Sequence, residues 1–150
     1  MKKKDDSELK LGYKVVKINP ARFSFEEIEE DELHELLEDD ENLVMELNVG
    51  LGISGEKSEV FFEINTTLTN NRNKVILVSH NGKTTFSIEG LDKTYVKSSD
   101  SYDLPDNLII QLYGISYSHA RALLSVELSK TVFKDKFFLP VTDPSEILKK

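Results

Sequence analysis

The chain contains no cysteine and no tryptophan, and only four prolines and seven glycines in 150 residues. Without cysteine there can be no disulfide and no thiolate metal site, so the fold must rest on packing. A chain of this length buries about 68–70% of its unfolded surface, enough for a core without staples. One domain, residues 1–150, is expected. A secretory signal is also missing: MKKKDDSELK opens with a basic cluster, but no apolar stretch follows it. A cytoplasmic location is expected by elimination, and residues 1–10 are expected to be disordered.

Chemistry is sparse as well. The three histidines, His34, His80 and His119, are far apart and sit in no recognised catalytic motif. Asn81-Gly82-Lys83-Thr84 shares the last residues of a phosphate loop, but the upstream glycine is absent and no helix pattern follows. Glu30, His34 and Glu38 would share one face of a helix, a spacing able to hold a divalent metal. A solvated acidic face accounts for them better. No enzymatic activity, cofactor or metal is expected.

Basic charge is lacking from one segment in particular. Residues 26–41, EEIEEDELHELLEDDE, hold eleven of the 27 acidic residues and no Lys or Arg. The net charge of −8 is therefore local. Nucleic acid is excluded as a partner of this segment, because phosphates need a basic footprint. Ser24 and Glu27 have capping-box spacing, and Ile28, Leu33, Leu36 and Leu37 could line a short helix; residues 26–42 are read as an acidic loop or such a helix.

What is present in quantity is alternation. Leu11 to Phe25 reads as a strand, with Pro20 suited to an edge or a bulge. Leu43, Met45, Leu47, Val49, Leu51 and Ile53 alternate with smaller or polar residues, and Val60, Phe62, Ile64, Thr66 and Leu68 do the same. Lys74 to Ile88 is a third run, with a bulge or tight turn expected at Asn81-Gly82. Short turns at 54–57 and 70–73 join these runs, so an antiparallel meander is expected.

Residues 107–128, NLIIQLYGISYSHARALLSVEL, differ from the rest. Thirteen of the twenty-two are apolar, they surround the helix, and the first charge is Arg121. Asp106 or Asn107 can cap it after Pro105. A helix apolar on all sides must be covered on more than one, and its polar interruptions disfavour a membrane. A second chain is therefore expected against Leu108, Leu112, Tyr113, Tyr117 and Leu124, with His119 and Arg121 satisfying hydrogen bonds at the seam.

Three places in this order resemble the SecB family of export chaperones. Phe23-Ser24-Phe25-Glu26 is similar to the end of that family's first strand, and Phe86-Ser87-Ile88-Glu89-Gly90 to the end of its fourth. Ala120-Arg121, Leu124, Leu139-Pro140-Val141 and Ile147-Leu148 follow its helix and the segment after it. The resemblance implies an α+β fold, a four-stranded antiparallel meander on a long C-terminal helix. It also implies a homotetramer, a dimer of dimers built through that helix, that holds unfolded polypeptides or preproteins without ATP. Glu26 matches the acidic face that docks the motor ATPase SecA, whereas Arg22 and Ser79 stand at other acidic places. His119-Ala120-Arg121-Ala122 lacks the tyrosine and glutamate of the family's helix motif. A SecB-like chaperone dedicated to the antitoxin of a toxin–antitoxin system is the alternative, and a non-chaperone adaptor a further one, in which the chain's own tail would fill the groove.

Client binding would rest on exposed apolar residues. The candidates are Phe23, Phe25, Ile28, Leu36 and Leu37 before the meander, and Phe133, Phe137, Phe138, Ile147 and Leu148 after the helix.

Overall fold

The computed structural model describes residues 11–149. The expected disorder of residues 1–10 lies outside the described residues.

Four long strands form one antiparallel sheet: β1 (Gly12–Phe25), β2 (Leu43–Ser54), β3 (Glu59–Asn70) and β4 (Val75–Glu89). Their spatial order is β1-β4-β3-β2, so consecutive strands β1 and β2 occupy opposite edges. Between them lies α1 (Glu30–Leu37), followed by a 3₁₀ turn at Asp40–Asn42. The acidic segment thus contains a short helix, but it starts later than the capping-box spacing suggests. Ser24 cannot cap it, because Ser24 is held in β1 opposite Ser79. Glu30, Asp31 and Glu32 fill its first turn, where negative charge suits the helix dipole. Leu33 and Leu36 pin it to the core. Arg72, in the β3–β4 turn, bonds both Glu35 (3.2 Å) and Asn42 Oδ1 (3.1 Å) and ties the segment to the end of the sheet.

The alternation read from the sequence is the alternation of burial. Along β3, Val60, Phe62, Ile64, Thr66 and Leu68 are buried and their neighbours are partly exposed. In register, Ile53, Val60 and Phe86 lie side by side, as do Leu51, Phe62 and Thr84, and Val49, Ile64 and Gly82. Asn81-Gly82 is neither a turn nor a bulge of β4, which runs through it unbroken. Gly82 is needed for another reason. A Cβ there would lie 3.2 Å from the Cβ of Ala120 on the helix above, so glycine allows helix and sheet to touch.

After β4 the chain turns at Gly90, in the left-handed conformation (φ 84°), and makes a small hairpin of β5 (Tyr95–Val96) and β6 (Ser101–Tyr102). The helix α2 (Asp106–Leu128) follows; Pro105 precedes it, and no side chain caps its start. Its stripe Leu108, Leu112, Ser116, Ala120, Leu124 and Leu128, with Tyr113 and Tyr117 beside it, packs on the sheet, chiefly over β4 and β3. This is the α+β architecture expected from the sequence. It also corrects the expected seam. Leu108, Leu112, Tyr113, Tyr117 and Leu124 are buried within the protomer itself, because they form the one stripe that faces the chain's own sheet. No helix among the described residues is long and apolar enough to cross a membrane.

Candidate client-binding surface

A helix with its side chains is about 10–12 Å wide. Strands lie about 4.8 Å apart, so the outer two of four are about 14 Å apart between axes. One helix therefore covers the two central strands and leaves both edges short of cover. The burial pattern follows this arithmetic. On β1, Tyr13, Val15, Ile18 and Phe25 share the helix-side face and are all exposed. On β2, Met45 and Leu51 share that face and are exposed too. Apart from Phe25, which was expected to be exposed, these wings carry apolar surface that the sequence reading missed. The alternation placed them on an inner face, but nothing in it gave the width of the cover.

The β1 wing borders a groove of about 620 Å³ between that strand and α2, with Tyr13, Ile110, Ile115 and Gly114 among its walls. Tyr13 Oη donates to Gln111 Oε1 across it (3.2 Å). Deeper in the same seam, Thr84 Oγ1 and His119 Nδ1 are 3.0 Å apart. His119 thus serves the chain's own helix–sheet contact. Burial lowers its pKa.

The other flank of α2 is covered by the chain itself. Tyr117 Oη donates to the carbonyl of Pro140, and Arg121 Nε to that of Leu139 (3.1 Å). Pro144 meets Gly114 so closely that a Cβ there would lie 3.2 Å from its Cγ. Ile147 then reaches a recess beside Leu47, Val49 and Tyr113. Arg121 is in this way a partner of the chain's own tail.

The candidate client residues divide. Leu36 and Phe133 are 2% and 0% exposed and belong to the core, so they leave the exposed set. Phe133 lies in an irregular stretch that offers no period, and α1, which carries Leu36, is only eight residues long, too short for its period to separate the buried Leu36 from the exposed Leu37. Phe23 is half-buried, stacked on Phe25 (5.6 Å between centroids) and edge-on to His80. Phe25 and Ile28 line a recess with Val132 at the C-terminal end of α2. Leu37 and Leu148 are exposed, and Phe137 and Ile147 half-buried. Phe138, 57% exposed, overhangs Ser118, Ala122 and Ser125 on the outer side of α2. These residues do not form one patch: Phe25 and Ile28 stand near the C-terminal end of α2, Phe138 on its outer side, Ile147 beside β2, and Leu37 on α1.

One buried residue was not anticipated as a special position. His80 is 2% exposed, faces Thr66 across the β3–β4 ladder, and neither ring nitrogen has a hydrogen-bond partner, nor does Thr66 Oγ1. Burial pushes its pKa below the usual 6.5, against the pull of Glu127. Among the described residues no group of three or more His, Asp or Glu is placed to hold a metal.

Taken together, the chain is an α+β sheet-and-helix protein whose apolar surface exceeds what its own helix and tail conceal. No family model matches it, and no curated protein does. Among solved structures it is similar to the Mycobacterium tuberculosis SecB-like chaperone Rv1957, determined in complex with a ChAD peptide from the HigA1 antitoxin Rv1956. That similarity is 10% in sequence, covers 87% of this chain and 89% of the other, and has a TM-score of 0.49. At that level the function must be read from the chain's own surface.

Proposed function

We propose that the chain is an ATP-independent holding chaperone for unfolded or preprotein polypeptides, SecB-like in its action. The observation that carries this reading is the pair of uncovered wings, Tyr13, Val15, Ile18 and Phe25 on one edge and Met45 and Leu51 on the other. They flank a helix whose outer side adds Ile110, Ala122 and Val126. A homotetramer, as a dimer of dimers, would cover part of this surface with the outer side of α2 and leave the rest for clients. Burying about 800 Å² of client apolar area contributes roughly 20 kcal/mol gross. Ordering an unfolded chain offsets most of it, which leaves sequence-tolerant binding. The exposed acidic segment keeps such a surface soluble and favours basic clients. The reading places the protein in the cytoplasm and gives it no catalytic role. SecA docking through Glu26 is not part of it, because Arg22 and Ser79 sit on the neighbouring sheet face.

The test is light scattering during aggregation of a chemically unfolded client. A stoichiometric amount of the chain should suppress the signal; unchanged aggregation of several unrelated clients would overturn the reading. A form dedicated to one antitoxin would protect that client alone, so the same assay separates the two.

The adaptor reading has one observation in its favour, the tail lodged between α2 and β2. It predicts a chain that binds no unfolded client even when the tail is cut after Leu139.

A further inference from the structure

β1 breaks the rule of alternation twice. Residues 14 and 17 are three apart, as are 19 and 22, and an unbroken strand would send the members of each pair to opposite faces. Bulges fall between Val15 and Lys17 and between Pro20 and Arg22. Each inserts one residue and shifts the phase. Lys14 then stands opposite Ser87, Lys17 opposite Thr85, Asn19 opposite Lys83, and Arg22 opposite Asn81. All of these lie on the sheet face turned away from α2. The two irregularities thus gather the cations of β1 onto one face while Tyr13, Val15, Ile18 and Phe23 stay on the other.

Lys14, Lys17 and Arg22 are exposed, and none forms an ion pair among the described residues. The neighbouring cation on β4, Lys83, does: it lies 4.0 Å from Glu63 and 4.0 Å from the centre of the Phe61 ring. The carboxylates Glu46, Glu59 and Glu63 of this face lie on β2 and β3, and Glu89 stands at the start of β1 opposite Gly12. Apart from Lys83 and Glu89, the residues of β4 beside the stripe, Ser79, Asn81, Thr85 and Ser87, are polar and uncharged. Asn81 donates its amide to Asn65 Oδ1 (2.6 Å), and its own Oδ1 is buried without a partner, in register with Arg22.

We propose that this outer face of β1 docks an acidic, extended peptide segment of a partner protein, with carboxylates on Lys14, Lys17 and Arg22. Lys14 and Arg22 stand opposite Ser87 and Asn81, so at about 3.3 Å per residue the stripe is roughly 20 Å long, the span of about six or seven extended residues. A nucleic acid fits worse. β1 runs directly into residues 26–41, with eleven carboxylates, which repel any polyanion longer than the stripe. The inference goes beyond the holding function and uses the opposite face of the sheet, so either can fail without the other.

The probe is a fluorescein-labelled peptide of alternating Glu and Thr, followed by fluorescence anisotropy with the full chain. It should bind at about 50 mM salt and weaken markedly at about 300 mM. The triple variant Lys14→Gln/Lys17→Gln/Arg22→Gln should weaken it by about tenfold or more, with unchanged circular dichroism and unchanged suppression of client aggregation. Equal binding by the triple variant, or by a peptide with Lys in place of Glu, would overturn the proposal. So would tighter binding of an oligothymidylate of equal charge.

Discussion

Replacing Gly82 with alanine would measure how closely α2 is seated on the sheet. Glycine inside a strand costs about 0.5–1 kcal/mol relative to alanine, so a roomy site would gain that much from the change. This site is not roomy. The new Cβ would lie 3.2 Å from the Cβ of Ala120 and 3.3 Å from its Cα, whereas carbons prefer about 3.5–4.0 Å. The second contact is backbone and cannot rotate away, so the helix must move. Its buried stripe from Leu108 to Leu128 must move with it. Overpacking of this kind costs about 1–3 kcal/mol. The net expectation is a loss of about 1–2 kcal/mol, or about 2–8 °C in Tm for a chain of this size. Ala120→Gly alone should also destabilise, by about 1 kcal/mol of helix propensity. Together, Gly82→Ala and Ala120→Gly should cost less than their sum, by about 0.5 kcal/mol or more. Thermal and urea unfolding followed by circular dichroism would read all four proteins. A stabilised Gly82→Ala variant, or strict additivity in the cycle, would refute the reasoning.

Phe133→Ala should cost about 3–5 kcal/mol, since Phe133 is fully buried, whereas Phe138→Ser should leave the urea midpoint nearly unchanged. Leu112→Asp should unfold the protomer outright, seen as lost circular dichroism; a folded but dissociated protein would show that Leu112 faces another chain after all. Acid should weaken the fold through His80. With its folded pKa pushed down by burial, His80 stays neutral while the unfolded chain takes up a proton near the usual 6.5. Its contribution is therefore full above that pH and is lost as the pH falls below it. Urea melts of His80→Gln should show a shallower decline between about pH 7 and pH 5 than the parent; an identical decline would exclude His80.

The strands were legible because period-two alternation and short polar turns report directly on a half-wet sheet, as in Val60 to Leu68. The helix was legible for its length and its lack of charge, but not its orientation. Leu112 and Leu124 look alike with Ile110 and Val126 in the sequence, and only the contact at Ala120 and Gly82 shows which stripe turns inward. Gly82 itself was misread, because a glycine in a strand signals a bulge or a close approach equally well. The bulges fell instead at two places on β1 and at Leu77 on β4, where no glycine marks them. Phe133 and Phe138 are five apart in an aperiodic stretch, so one entered the core and the other did not without any local sign.

The order of the strands has a consequence for how the chain comes to be folded. Gly12 pairs with Glu89, so the first strand made waits for the last before it has a neighbour. The second, third and fourth can zip together through tight local turns as they emerge, whereas the first must close a loop of more than fifty residues, from Phe25 to Val78. During that interval its tyrosine, valines and isoleucine have no sheet to lie in. A protein proposed to shelter incomplete chains is thus itself, for part of its synthesis, a chain with a loose greasy end.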